Sequence, residues 1–418
     1  MSEQTEASVC AEVSAWLAAN WNPELGLVEW RNKLVDSGWG VPHWPQAWYG
    51  RDLSAGLVPV VEEEFQRIGA IGVAKAGIRT LAAATILEHG TDLQKEKFLR
   101  RSLTGEDTWC QLFSEPGSGS DVAGAVTRAE LRGNQWVVNG QKVWTTSAHH
   151  ADWGLLLART DWDLTKHKGL SYFIIDMHQP GVTVQPLRQM NGHASFNQVF
   201  LTDALVQPEF LVAKVGDGWA VTTTTLMHER RGADSLRTWA MGSDRPGRTY
   251  DEERAEIATT MEPYKWYPQR AGRVDLILPR AEETGAVNDP VMRQEIAKLL
   301  IMAKSAEWTA RRARAAQEQG RPQGPEGSLG KLVSSHIARA AARLHTQMTG
   351  ANAMLTGDGS PMGGVIAEIL VSVPATSIAG GTDEIQRNII SERVLKMPRE
   401  PSIDTNKPFR DVPRNVVA

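Results

Sequence analysis

Apolar residues change their spacing twice along this 418-residue chain, and that change restricts the fold more than any single motif. Up to about residue 112 they recur three and four apart, as in "EVSAWLAANW" and "LRTLAAATILEHG", which is the period of one helix face. "TDLQKEKFLRRSL" opens on Thr91 and carries Gln94 three positions on, a capping-box spacing. "GWGVPHWPQAWYGRDLS" holds too much Gly and Pro for a helix and is assigned to a loop. Near Gln111 the period drops to two. "AELRGNQWVVNGQKVWTT" alternates and contains Gly133-Asn134 and Asn139-Gly140, both hairpin-turn signals. "WGLLLART", "SYFIIDM", "GVTVQPL" and "NQVFLTDALV" follow at regular spacing, which predicts a small barrel or sandwich over 113–207. After "GDGW" the helices return, with one long helix ending near Gly320 and a second in "SLGKLVSSHIARAAARLHTQMTG". "IAGGTDEIQRNII" opens another, with Thr382 placed as N-cap and Asp383 and Glu384 loading the first turn with negative charge. The order predicts an α+β chain in three regions: helices over 1–112, a small barrel or sandwich over 113–207 and a helical C-terminal region over 208–418.

Composition narrows the class. The length is too great for one core. A formal net charge of -4 gives no basic patch for nucleic acid. Cys10 and Cys110 are far apart and form neither a disulfide framework nor a zinc pattern, so a reducing, cytoplasmic setting is expected. No Lys or Arg precedes Arg31, which argues against a signal peptide, and no apolar run is long enough to span a bilayer.

Four stretches carry a family resemblance: "QLFSEPGSGSDVAG" (111–124), "VVNGQKVWTTSAHHADWGLLLART" (137–160), "LMHERR" (226–231) and "IAGGTDEIQRNII". Together they resemble the acyl-CoA dehydrogenases, over about residues 25–398. The resemblance implies an N-terminal helical domain, a central β-barrel, a C-terminal four-helix bundle and FAD at a subunit interface. Read from the residues alone, "EPGSGSD" offers glycines that let backbone N–H groups approach a pyrophosphate, and a plain polar turn explains it equally well. By resemblance, Ser120 and Gly119 meet the pyrophosphate, Trp144 packs beside the isoalloxazine, and Thr146 bonds near its N5. Gln111, Phe113 and Ser114 line the ring, and Gln347, Gly350, Thr382 and Glu384 complete the cofactor site. Ser120, Arg230, Gly380 and Gly381 are expected to contact substrate. No metal site is expected. Glu115 and Asp121 are assigned turn and cap roles rather than acid–base work.

The chemistry of the family requires a carboxylate to remove the proton α to a thioester carbonyl. Where relatives often carry that glutamate, this chain has Gly380. Glu384, four residues on, is one substitute and more plausibly a helix-side residue. Glu229 is favoured, because isovaleryl-CoA and long-chain acyl-CoA dehydrogenases take their base from an "ER" pair early in the C-terminal domain, and Glu229-Arg230 matches it. Its plain alternative is a salt-bridged helix residue. Gly380 then keeps one task, its N–H bonding the thioester oxygen. His228 is assigned a structural role.

Three departures stand out. The "R-x-x-F-G" segment that reaches a neighbouring FAD is reduced to Arg280 without Phe-Gly. "QMTGANA" replaces a glycine-rich "QxxGGxG". Residues 237–273, rich in Pro and Gly, interrupt what should be one helix; a surface insertion is the simplest interpretation, a lid or partner-binding element the alternative. The leading expectation is FAD-dependent desaturation of an acyl-CoA to the trans-2-enoyl-CoA, with electrons passed to electron-transferring flavoprotein. A homo-oligomer and an α2β2 hetero-oligomer both remain open. The competing readings are a non-catalytic subunit that completes a partner's FAD site, and a related flavin oxidase or monooxygenase.

Overall fold

The computed structural model describes residues 4–75, 77–232, 242–319, 321, 326–402, 404 and 406–413, with the backbone alone at 230–232, 317, 318 and 326. Two compact units result. The first draws on 1–187, 194–263 and 402–418, the second on 188–193 and 264–401.

In the first unit, α1 (Glu6–Asn20), α2 (Leu27–Ser37), α3 (Val58–Ile68), α4 (Arg79–His89) and α5 (Asp92–Thr104) precede the sheet. The capping box forms as its spacing predicts: Thr91 accepts from the Gln94 N–H at 3.3 Å and Gln94 accepts from the Thr91 N–H at 3.1 Å. Gln94 does more than cap. Its side-chain nitrogen donates to the carbonyls of Glu209 (2.6 Å) and Leu211 (2.8 Å), which ties the start of α5 to the end of the sheet.

Eight strands follow: β1 (Trp109–Leu112), β2 (Arg128–Arg132), β3 (Gln135–Thr146), β4 (Trp153–Arg159), β5 (Leu170–Asp176), β6 (Val182–Leu187), β7 (Phe196–Val206) and β8 (Leu211–Val212). The strand path is β6-β7-β3-β2-β4-β5-β8, with β1 parallel on β4. Apart from Arg159, Ser171 and Asp176, β4 and β5 are apolar, and both of their faces are covered. Leu155, Leu157, Tyr172 and Ile174 enter the core shared with the helices. Leu156, Ala158, Phe173 and Ile175 enter a second core made by the sheet alone. Gly133-Asn134 makes the β2–β3 hairpin. Asn139-Gly140, expected to do the same, instead lies inside β3 at a register shift. Gly140 has φ +158, and a Cβ there would lie 2.5 Å from the Thr127 hydroxyl oxygen, so the glycine serves a close crossing.

After the sheet come α6 (Gly218–Gly232) and α7 (Arg248–Met261). The expectation of a surface insertion fails for α7, whose Thr249 and Tyr250 are buried. Glu256 pairs with Arg31 at 2.7 Å and Arg79 at 2.9 Å, both guanidiniums nearly inaccessible. Glu252 accepts from the Leu27 N–H at 2.7 Å and so caps α2, whose own N-cap, Gly26, has no side chain to do it. The helix is part of the N-terminal helical core, held by polar partners that local pattern does not expose. Residues 237–241 of the insertion lie outside the described residues.

The second unit holds α8 (Tyr267–Arg270), α9 (Ile277–Glu283), α10 (Pro290–Glu318), α11 (Glu326–Thr349), α12 (Val365–Ser372) and α13 (Asp383–Ile389). Ile277, Ala281, Ile296, Leu299, Ala341 and Leu344 form its main core. Small residues at 338, 341 and 342 let α11 approach its neighbours on one stripe. Thr382 caps α13 as predicted, accepting from the Ile385 N–H at 3.2 Å.

Candidate active site

The glycine-rich loop after β1 is held from three sides. Glu115 and Ser118 exchange backbone hydrogen bonds of 3.0 Å each, closing a tight turn. The Glu115 carboxylate accepts from Lys142 Nζ (2.8 Å), the Val126 N–H (2.7 Å) and the Thr127 N–H (2.9 Å). Lys142, fully buried, also donates to the Phe113 carbonyl at 3.1 Å. Arg159, buried as well, donates to the carbonyls of Ala123 (2.7 Å) and Ala125 (3.0 Å). Burial alone would push the Glu115 carboxyl up; Lys142 and the N–H donors outweigh it and hold the carboxyl below its usual range. Burial pulls Lys142 below the ordinary lysine range, opposed by Glu115. Glu115 is therefore a structural ion, as expected, rather than an acid.

On this frame Gly119 and Ser120 are exposed. Gly119 has an ordinary backbone conformation, and a Cβ built on it would meet nothing within 4 Å. No intramolecular packing requires glycine there, and the open face suits a ligand that approaches the main chain closely. Phe113 is buried edge-on against Tyr172, ring centroids 5.8 Å apart, and the Ser114 carbonyl accepts from the Val143 N–H at 2.9 Å.

A register shift between Lys142 and Thr145 turns the end of β3 outward. Trp144 sits at φ +61 with 55 % of its surface exposed, its edge to Phe196. An indole in the left-handed region costs about 1–2 kcal/mol, and such outliers concentrate where a site needs them. Thr146 is half-buried. Beside it the buried Thr145 hydroxyl has no hydrogen-bond partner among the described residues. An open glycine turn after β1, with an out-turned indole and an orphaned buried hydroxyl at the end of β3, fits a flat ring joined to a diphosphate.

Glu229 stands on α6 in this same unit. One turn earlier, Thr225 meets Tyr172 and Thr85 through hydroxyl contacts of 3.0 Å each, all three residues wholly buried. This junction of β5, α4 and α6 fixes the helix rotation. Gln111 Nε2 then donates to Glu229 Oε2 at 3.3 Å. Gln111, expected to line a flavin ring, is hydrogen-bonded through its side chain to the expected base. His228 lies 3.7 Å from Glu88, and His89 contacts the Thr224 hydroxyl at 2.8 Å. The sequence reading missed Thr85, Tyr172 and Thr225. The run Thr222-Thr223-Thr224-Thr225 was the available signal, since four threonines in a helix imply polar tertiary partners. The side chain of Arg230 lies outside the described residues.

The remaining expected residues belong to the second unit. Gly380 and Gly381 have φ +67 and +86, and Gln386 Nε2 donates to their carbonyls at 3.2 and 3.4 Å. A Cβ on Gly380 would meet only Lys331 Cε, at 3.8 Å. Lys331 donates to the Thr376 carbonyl, and burial lowers its ammonium pKa against the opposing pull of Asp383. Asp383 is held by Ser335 (2.9 Å) and Arg339 (3.1 Å). Glu384 is exposed and pairs with Arg387 at 3.2 Å. Gln347 lines an open cleft of about 400 Å³ with Arg339 and Arg343, and Gly350 ends α11 at φ +63. Arg280 is buried and spans Glu283 (2.8 Å) and Thr349 (3.3 Å), so its guanidinium is engaged inside its own unit. Among the described residues no cluster of His, Cys, Asp or Glu is arranged to hold a metal, and no helix is long and apolar enough to cross a membrane.

Family models for the acyl-CoA dehydrogenase N-terminal, middle and C-terminal domains match residues 2–106, 110–204 and 274–395. Acyl-CoA dehydrogenase IpdE1 of Mycobacterium tuberculosis (strain ATCC 25618 / H37Rv) is 32% identical over 413 residues, covering 93% of this chain and 97% of that protein. Acyl-CoA dehydrogenase FadE34 of the same organism is 36% identical over 368 residues, covering 88% of this chain, which spans only 46% of FadE34. Among solved structures, the Tcur3481-Tcur3483 steroid ACAD is 23% identical with a TM-score of 0.65, covering 95% of this chain and 99% of its own; it speaks for the fold. The ChsE4-ChsE5 complex of Mycobacterium tuberculosis is 25% identical with a TM-score of 0.55, covering 96% of this chain and 100% of its own. Helices, mixed sheet and C-terminal helices in that order, with three matching domains, place the chain in the acyl-CoA dehydrogenase family of FAD-dependent oxidoreductases.

Proposed function

We propose that the chain desaturates an acyl-CoA thioester to its trans-2-enoyl-CoA, with Glu229 as the base. The contact that carries the reading is Gln111 Nε2 to Glu229 Oε2 at 3.3 Å. Gln111 is the first residue of the stretch 111–124, so the contact joins the one carboxylate of the "ER" pair to the start of the flavin-type motif. Glu229 removes the proton from the α-carbon, and the thioester carbonyl takes up the electron pair as enolate character develops. An N–H donor at Gly380 would stabilise that oxygen. FAD, when bound, supplies the acceptor for the hydride that leaves the β-carbon. Ser114, Gly119, Ser120, Trp144 and Thr146 would hold it in the first unit; Gln347, Gly350, Thr382 and Glu384 are proposed as cofactor-binding residues of the second unit by itself. Electron-transferring flavoprotein is the proposed electron acceptor, and the cytoplasm the proposed setting.

Steroid-directed and paired relatives support a bulky, ring-derived acyl group and an α2β2 assembly. One observation favours a second reading, in which this chain completes a partner's site without performing chemistry: no carboxylate stands at Gly380.

The test is anaerobic stopped-flow reduction with a panel of acyl-CoAs. Glu229→Gln should bind flavin and ligand normally while flavin reduction slows ~10²–10⁴-fold. Near-normal reduction would remove Glu229 from the mechanism and return the search for the base to Glu384 or a partner subunit.

A further inference from the structure

The last described residues of the chain pack on the first unit as a strap over the β4–β5 connection. Phe409 is almost fully buried, its N–H donating to the Leu164 carbonyl at 2.9 Å. The Arg410 N–H donates to the Trp162 carbonyl at 3.0 Å, and the Arg410 guanidinium pairs with Asp163 at 2.6 Å. Two side chains carry the strap's contacts inward. The Phe409 ring lies 3.3 Å from the guanidinium carbon of Arg159, and Arg159 is the residue that grips the carbonyls of Ala123 and Ala125. Asp404 lies 2.7 Å from Lys166 Nζ, which lies 2.7 Å from Asp121, the last residue of "EPGSGSD".

We propose that residues 404 and 406–412 position the glycine-rich loop 115–127 for the FAD diphosphate, Phe409 acting through Arg159 and Asp404 through Lys166. The inference rests on the reading that this loop receives the diphosphate. Its physical basis is that both linkers are cations whose charged group meets the strap and the loop at once. A guanidinium kept out of water gains from an aromatic face, and Phe409 supplies that face. An ammonium shared by two carboxylates stays fixed in place, where one partner would leave it free to swing. A loop already in its binding geometry spends less of the ligand's affinity on ordering.

The experiment uses the full chain. Apoprotein of wild type, Phe409→Ala, Phe409→Leu, Phe409→Tyr and Asp404→Asn is compared by amide hydrogen exchange and by FAD titration. Loss of the ring face should speed exchange in 115–127 by about 30-fold. Leu fills the volume without restoring protection, whereas Tyr restores it. Asp404→Asn should speed exchange around 118–121 alone, with β4 and β5 still protected. FAD affinity should fall in the same order as protection. Unchanged exchange at 115–127 in both Phe409→Ala and Asp404→Asn overturns the strap. Full rescue by Leu reduces it to packing and overturns the role assigned to Arg159. Faster loop exchange with unchanged FAD affinity keeps the strap and instead overturns the placement of FAD on this loop.

Discussion

Replacing Lys142 with Met tests the ionic frame beneath the glycine-rich loop. Lys142 and Glu115 are 2.8 Å apart, with side-chain exposures of 0% and 3%. Two unit charges at that distance attract by about 6 kcal/mol at an effective dielectric of ~20. Removing the ammonium leaves a buried carboxylate that still accepts from the Val126 and Thr127 N–H groups, so part of the loss is offset. Single deletions from buried pairs typically cost about 3–5 kcal/mol, and Lys142→Met is expected in that range by urea denaturation. The pH dependence gives a second readout. In the wild type the Glu115 carboxyl is held below its usual range, so its contribution is present above the unfolded carboxylate pKa near ~4.3 and fades as pH falls. In the variant, burial acts unopposed by the cation and the carboxyl moves above that value. Stability of the variant then falls as pH rises through the raised pKa, so its deficit should be larger at neutral pH than at acid pH. Glu115→Gln/Lys142→Met removes both charges and should recover most of the loss. A single variant within about 1 kcal/mol of wild type, or a double variant as unstable as the single, would refute the argument.

Two further outcomes follow from contacts described above. Glu256→Gln removes the one carboxylate that faces both Arg31 and Arg79, so the first unit should lose about 3 kcal/mol in chemical denaturation, with faster amide exchange in α2 and α7. Gly380→Ala meets no atom closer than 3.8 Å but must hold φ near +67, so it should cost about 1–2 kcal/mol through backbone strain alone, measured by the same method on the second unit.

Elements whose cause is local were legible. Thr91 with Gln94, Thr382 before Asp383, the β2–β3 turn and the long α10 and α11 all form where spacing places them. Asn139-Gly140 carried the same local signal as Gly133-Asn134 and gave a different structure, because Thr127 crosses it closely. The candidate site was legible as motifs. The partner of Glu229 was not, since Gln111 lies 118 positions away. Nothing in "RTYDEERAEIATTM" announces that Glu252 caps α2 or that Glu256 joins two buried arginines.

The sequence by itself determined the type of the strongly periodic segments, where several of them start, and which family's chemistry they can support. Those outcomes depend on periodicity, caps and turn residues, whose interactions close within a few positions. Tertiary structure decided which charges are buried together, at what rotation α6 presents the carboxylate of Glu229, and that Asp404 and Phe409 pack against Lys166 and Arg159. Pairs such as Lys166 with Asp404 are 238 positions apart, and an ion pair has no periodicity to leave in the sequence. Its energy depends on distance and burial, and only the folded chain sets either one.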